Sequence, residues 1–409
     1  MIRKKLKVLL GPKITKSVVQ IRDAVYNAVS GLFPMQREII LESHPDFTCN
    51  TFELYRYMIK QGVNKDHRIT WITDGSSELK EMAENVGFLN FNPKGFKDRL
   101  RFYIHCNRAS VCITSNRHLS KKRMSKKQVN VYLDHGSQLK SLLNEDGSRK
   151  ELWCDYMICQ SEFFVPYNVE QYTLRKDQVI CTGLPRNDQL FRKYDSIHRL
   201  LGNRSDYGKV IIWVPTFRQH MDNVRIDCSH DYPLGLSILN SEEDALRLNE
   251  TLKDKNVLLI IKPHPAQSLD VIKSFDLSNI VFIYNSDLAA QDIQTNELLA
   301  QTDAMITDYS SIYYDYLLLH RPIAITLDDF DDYNRDKGFV FDDPLEVLKG
   351  AYIYDLNDFC AFVADVADGI DRAKEDREEI CDKLHTFQDD KSSMRVFDFI
   401  MKEEKKRFG

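Results

Sequence analysis

Ala304-Met305-Ile306-Thr307-Asp308-Tyr309-Ser310-Ser311-Ile312-Tyr313-Tyr314-Asp315-Tyr316-Leu317-Leu318-Leu319 reads as an apolar strand that runs into small hydroxyl residues and then a helix. A buried strand ending on two serines leaves backbone N–H groups and two hydroxyls able to converge on an anion. The same seam reads equally as an ordinary serine N-cap. Either way it is one strand-to-helix step of an α/β sheet. Asp315, seven residues after Asp308, falls inside the helix, where a carboxylate accepts from ribose hydroxyls or faces a partner side chain.

Outward from this step the chain alternates short β-rich runs with helical stretches, the pattern of a parallel sheet covered by helices. In the second half the strands are expected at Val210 to Val214, Val257 to Ile261, Ile280 to Ile283, Ala304 to Ile306 and Ile323 to Thr326, with helices at Ser241 to Lys253 and Ile312 to Leu319. In the first half they are expected at Glu38 to Leu41, Arg68 to Ile72, Val111 to Thr114 and Val129 to Leu133, with a helix at Thr51 to Gln61. The polar stretch Arg192 to Gly208 has linker composition, and Asn357 to Glu404 is charged and helical without a strand signal. Two Rossmann-like domains facing a central cleft, closed by C-terminal helices, make the α/β architecture called GT-B, with ligands at the carboxyl ends of the strands. The expected division is an amphipathic helix in 1–34, Rossmann-like domains in 35–200 and 205–360, and C-terminal helices in 361–409.

Composition supports two domains, because 409 residues with 43% hydrophobic content exceed what one core usually holds. A net charge of −5 excludes a protein built mainly to neutralise nucleic acid. The nine cysteines form no C-x-x-C pair and no zinc spacing, so reduced thiols are expected; no divalent-metal motif is visible, and neither a metal site nor a cofactor is expected. The N-terminus lacks a signal-peptide pattern, and the longest apolar runs fall far short of the ~20 residues that span a bilayer. From Ile14 to Phe33, Ile14, Val18, Ile21, Val25, Ala28, Val29 and Leu32 form one helical stripe, suited to docking on a domain or to lying on a membrane. Basic residues cluster at Arg3, Lys4, Lys5 and Lys7 and at Lys121, Lys122, Arg123, Lys126 and Lys127, as solvated surface or as attraction to an anionic leaflet or polymer.

Three further strand ends present chemistry. Lys262-Pro263-His264-Pro265 follows a strand, and flanking prolines stiffen the turn that displays the histidine, which can donate to a pyrophosphate oxygen or protonate a leaving phosphate. Asp134-His135-Gly136-Ser137-Gln138-Leu139-Lys140 repeats the placement, with Gly136 allowing a sharp turn. Pro215-Thr216-Phe217-Arg218 delivers an arginine whose fork of donors clamps phosphate or forms a surface ion pair.

Together these segments resemble the CDP-glycerol:poly(glycerophosphate) glycerophosphotransferases, which build teichoic acids and related capsules. Besides the motifs above, the resemblance rests on Gln160-Ser161-Glu162-Phe163-Phe164, Thr182-Gly183-Leu184-Pro185-Arg186-Asn187-Asp188, Arg321-Pro322 and Asp390-Lys391-Ser392-Ser393-Met394-Arg395. It implies a GT-B fold and transfer of an alditol phosphate from CDP-glycerol or CDP-ribitol to a polymer or lipid-linked acceptor, with release of CMP. It also implies a cytoplasmic protein, peripheral on the inner face of a bacterial membrane. By resemblance, His135 is the general base, with Gly136, Ser137 and Lys140 on the acceptor side. His264 is its catalytic partner at the donor pyrophosphate, with Thr216, Arg218, Lys262, Thr307, Asp308, Ser310, Ser311 and Asp315 on the donor side. Where the family usually has Trp-His-Gly-Thr-Pro, this chain has Asp134 to Gln138, which alters the wall around the base. A GT-B glycosyltransferase or epimerase acting on a nucleotide-sugar is the alternative.

Overall fold

The computed structural model describes residues 21–75, 77–116, 127–142, 149, 151–202, 206–218, 228, 230, 232–264, 267 and 269–409. It divides into two compact units. The first comprises the described residues up to His135 with Trp153–Ile158 and Ser393–Gly409, and the second comprises those of Gly136–Leu152 and Cys159–Ser392. This line falls elsewhere than the break at 200–205 expected from composition.

In the first unit, the strands β1 (Gln36–Glu42), β2 (Arg68–Thr73), β3 (Val86–Asn90), β4 (Ala109–Thr114), β5 (Val129–Tyr132) and β6 (Tyr156–Cys159) pair in parallel in the order β3-β2-β1-β4-β5-β6. Parallel strands covered on both faces read as unbroken apolar runs, and Ile39, Ile40, Leu41, Val111 and Ile113 are wholly buried. The last helix, Ser392–Arg407, seats most of its length here. Arg407 bridges to Asp155 at 2.8 Å, Tyr156 donates to Glu403 at 2.6 Å, and Glu404 meets His67 at 3.1 Å. The helices expected together in 361–409 are thus divided between the units.

The second unit holds β7 (Val179–Cys181), β8 (Lys209–Val214), β9 (Val257–Ile261), β10 (Ile280–Phe282), β11 (Ala304–Thr307), β12 (Ile323–Thr326) and β13 (Ala351–Ile353). Six of them form a parallel sheet in the order β10-β9-β8-β11-β12-β13. Counted from β1 in the first series and from β8 in the second, both have the order 3-2-1-4-5-6, which is the Rossmann arrangement, with the topological switch between strands 1 and 4. The helix Glu242–Asp254 begins at Ser241, whose side chain accepts from the Asp244 N–H, with three acidic residues in the first turn. It buries Ala245, Leu248 and Leu252 in a core where Trp213 meets Phe359 edge to face at 5.1 Å.

Three expectations change. β3, β6, β7 and β13 were not expected, because Val86–Asn90 is interrupted by Gly87 and only Leu89 in it is buried, and Tyr156–Cys159, Val179–Cys181 and Ala351–Ile353 are too short to show a run. The 192–208 stretch contains a helix, Ser196–Leu201, anchored by buried Ile197. Of the predicted helix at 14–33, residues 14–20 lie outside the described residues, as do Arg3 to Lys7 and Lys121 to Lys126, while residues 21–30 are helical. That helix seats Tyr26 against Tyr103 and Ser30 against Asn107, and leaves its apolar stripe facing out: Ile21 is 66% exposed and Val25 57%, and Leu32 in the turn that follows is 83% exposed. Among the described residues no helix is long and apolar enough to cross a membrane.

Replacing Phe359 with Ala removes a ring at the centre of the second core and is expected to destabilise that unit by about 3–5 kcal/mol. Urea titration with hydrogen exchange checks this: β8 and β9 amides lose protection while β1 and β4 amides keep theirs.

Candidate functional site

In the second unit, four parallel strands deliver their carboxyl ends to one edge. β8 leads to Thr216 and Arg218, β9 to Lys262 and His264, β11 to Asp308, Ser310 and Ser311, and β12 to Asp328 and Asp329. Arg218, expected to clamp phosphate or to lie on the surface in an ion pair, is ion-paired but not on the surface. It is buried, with Nε 2.5 Å from Asp329 Oδ2, Nη2 3.1 Å from Asp329 Oδ1 and Nη1 2.9 Å from Asp308 Oδ2. Tyr309 and Tyr333 lie 5.2 and 4.9 Å from its guanidinium carbon, and the Tyr309 hydroxyl donates to Asp329. Burial opposes its charge, and the paired carboxylates outweigh burial, so the guanidinium is held firmly protonated. Burial likewise pushes the Asp329 carboxyl up, and its bonds to Arg218 and Tyr309 bring it below the usual range.

Four more expected donor ligands also face inward. Asp308 accepts from the Thr216 N–H at 2.9 Å and from the Thr216 hydroxyl at 2.9 Å, so both side chains fasten β8 to β11. The Thr307 hydroxyl donates to the Val214 carbonyl at 2.8 Å rather than into the site. Asp315, expected to accept from a ribose or to face a partner side chain, is buried and faces Arg186 at 2.7 Å, and desolvation raises its carboxyl pKa against the pull of that arginine. On the acceptor side, Ser137 is buried and donates to Gln160 at 3.2 Å. Lys140 pairs with Phe339 in a β-bridge, its ammonium 5.5 Å from the Tyr333 ring.

The groups that remain accessible in this unit are few. His264 is exposed, its ring 5.2 Å from Phe217, while Ser310 and Ser311 are half-buried and the Ser311 side chain does not cap the six-residue helix Ile312–Leu317. Pro265 lies outside the described residues. Lys262 is buried with its ammonium 2.7 Å from Asn285 Oδ1, and desolvation lowers its pKa to about 8. Arg186 is the residue that sequence reading missed. Its guanidinium occupies the space a Cβ on Gly136 would need, 2.5 Å away, with the Ser311 hydroxyl 3.3 Å from the same point, and Gly136 has a φ of +134°. The only hint was its place in the Thr182 to Asp188 segment.

In the first unit His135 follows β5 and is half-buried. The turn before it is left-handed at Asp134, with a φ of +54°, and the Asp134 carboxylate accepts the His135 N–H at 2.7 Å. Among the described residues no group of three or more His, Cys, Asp or Glu side chains converges as metal ligands.

The sequence profile of the CDP-glycerol:poly(glycerophosphate) glycerophosphotransferases matches residues 25–402. This chain belongs to that family. Among glycerophosphotransferase relatives, the teichoic acid glycerol-phosphate transferase of Staphylococcus aureus is 23% identical over 379 residues, covering 87% of this chain and 90% of the relative. The teichoic acid ribitol-phosphate primase of Bacillus spizizenii is 27% identical over 257 residues, 60% of this chain. The match spans 59% of that primase and 37% and 43% of two ribitol-phosphate polymerases. The solved wall teichoic acid polymerase TagF superposes with a TM-score of 0.69 at 20% identity, covering 100% of this chain and 99% of the TagF chain. That likeness is one of fold and agrees with the expected GT-B class.

Lys262 also sets a pH dependence. Its native pKa of about 8 lies below the ordinary 10.5, so charge burial costs on the order of 3 kcal/mol below pH 8. The native state sheds the proton first as pH rises from 8 to 10.5, and the penalty fades. Lys262→Met is therefore expected to gain about 2 kcal/mol at pH 7, after losing the Asn285 bond, and to lose that gain by pH 10. Urea midpoints across this range check it.

Proposed function

We propose that this protein transfers an alditol phosphate from a CDP-alditol, glycerol foremost, to a hydroxyl of a teichoic-acid-like or capsule acceptor, polymeric or lipid-linked, releasing CMP. The observation that carries the reading is the pair of displayed histidines at strand ends within a chain of this family: His135 after β5 and exposed His264 after β9. His135 takes the proton of the acceptor hydroxyl as its oxygen attacks the β-phosphorus of the donor. The new bond is acceptor oxygen to phosphorus, and the bond that breaks joins that phosphorus to the bridging oxygen, which leaves with CMP. Charge grows on the phosphoryl and leaving oxygens, and His264, Ser310, Ser311, Lys262 and Arg186 are the donors suited to it. Thr216, Arg218, Thr307, Asp308 and Asp315 serve instead as the frame that fixes those donors.

The outward stripe of Ile21, Val25 and Leu32 supports a further part of the proposal, that the protein works peripherally at the inner, cytoplasmic face of a bacterial membrane. Neither nucleic acid nor a bound cofactor enters the reading.

Two experiments test it. With CDP-glycerol, CDP-ribitol and UDP-sugars supplied in turn, CMP release is expected from a CDP-alditol; UMP or UDP with no CMP would sink the reading. His135→Ala is expected to lower transfer by about 10²–10⁴-fold while leaving CDP-glycerol binding near wild type, and His264→Ala to weaken donor handling. Near-wild-type turnover in both would refute the assignments. For the membrane contact, Val25→Asp with Leu32→Asp is expected to reduce sedimentation with anionic vesicles, and unchanged sedimentation counts against it.

A further inference from the structure

The first unit contains a support for His135 that no sequence motif announced. Asn50, in the first turn of the helix Cys49–Lys60, is wholly buried, and its side-chain amide donates to two successive carbonyls, those of Leu133 at 3.2 Å and Asp134 at 2.9 Å. These carbonyls belong to the left-handed turn that presents His135. The next residue, Thr51, donates to the Glu42 carbonyl at the end of β1 and meets the Ser115 hydroxyl just after β4. The helix start is therefore pinned at the β1/β4 switch point, and Asn50 reaches from that fixed base to the end of β5.

Backbone strain marks the same place. Phe47 and Cys49, which lead into the helix, have φ values of +56° and +61°, and Asp134 has +54°. A non-glycine residue in this region costs of order 1 kcal/mol or more and persists only where its surroundings over-determine it. Here two strained turns, some 84 residues apart in sequence, are joined through one amide. A helix placed only for packing needs neither the strained entry nor a buried Asn at its second position.

We propose that Asn50 is a positioning residue for His135: it fixes the two peptides that flank Asp134 so that the imidazole stands at the angle its proton transfer requires. The inference rests on the reading of His135 as the base. An amide is the fitting group, because one Nδ2 supplies two hydrogens to two carbonyl oxygens and carries no charge into a buried site. Aspartate has the same shape and no hydrogen to donate when ionised.

The test uses the 409-residue chain, with CMP release from labelled CDP-glycerol and a purified acceptor. Asn50→Ala and Asn50→Asp are each expected to lower kcat by 10-fold or more while the donor KM stays within about twofold. Introduced into His135→Ala, either change is expected to alter the residual rate by less than twofold, since Asn50 acts through a side chain already removed. Hydrogen exchange is expected to rise at the amides of 134–136 and to stay unchanged at the core amides of β1 and β4, which separates a local loosening from a folding defect. A wild-type kcat in Asn50→Asp, or equal losses in the presence and absence of His135, would overturn the inference and leave the phosphotransfer reading standing. A wild-type protein that releases no CMP from any CDP-alditol would overturn both.

Discussion

Arg218 governs the second unit because a guanidinium cannot give up its charge at any ordinary pH. Once buried, it must be met by carboxylates, and Asp308 and Asp329 come from the ends of two other strands, β11 and β12. One side chain extending from β8 thus ties three strand ends at the topological switch. Removing any member leaves a buried charge uncompensated, a defect worth about 3–5 kcal/mol, whereas the intact cluster adds little net stability. Its effect is geometric: with Thr216 also fastened to Asp308, the backbone leading to Ser310 and Ser311 has little freedom. Residues that look like ligands in the sequence are largely the frame, and the frame is what allows a few accessible groups to hold fixed positions.

The first unit reaches a comparable end with mostly neutral hydrogen bonds. Asn50 and Thr51 secure the ends of β5 and β1, and the Glu42 carboxylate accepts from the Ser115 and Asn116 N–H groups after β4. The link from Asn50 to the turn before His135 is an amide that does not titrate. A pH change that protonates or deprotonates the imidazole therefore leaves that backbone link in place. In the second unit the corresponding frame is ionic, and strong acid that protonates Asp329 would loosen it.

Fold was far more legible in the sequence than site. Parallel strands are buried on both faces, so runs such as Val257–Ile261 and Ala304–Thr307 announce themselves by composition, and their spacing fixes the Rossmann repeat. β3, β6, β7 and β13 escaped because a strand that is very short, or interrupted by glycine and mostly exposed, carries no such run. The stripe in residues 21–30 was read correctly as helical, yet its apolar side faces outward and the contacts run through Tyr26 and Ser30. Periodicity reports that a face is apolar and says nothing of what covers it. For the site, motif position located the strand ends, but whether a side chain points in or out depends on tertiary partners. Asp329 lies 111 residues from Arg218, and Arg186 lies 129 positions before Asp315, so no local pattern links either pair.

The departure at Asp134 acquires a physical meaning from the geometry. The family usually carries tryptophan before the histidine, and this chain places a left-handed residue there, with its carboxylate on the His135 N–H. Aspartate tolerates that region better than a bulky aromatic, because its short polar side chain bonds locally to the backbone. The substitution therefore removes a flat apolar wall and supplies a turn-closing acceptor in one step. With Asn50 gripping the Leu133 and Asp134 carbonyls while the Asp134 carboxylate holds the His135 N–H, the turn is held from both sides. The loss of the tryptophan changes what surrounds the imidazole and leaves intact the means by which the chain presents it.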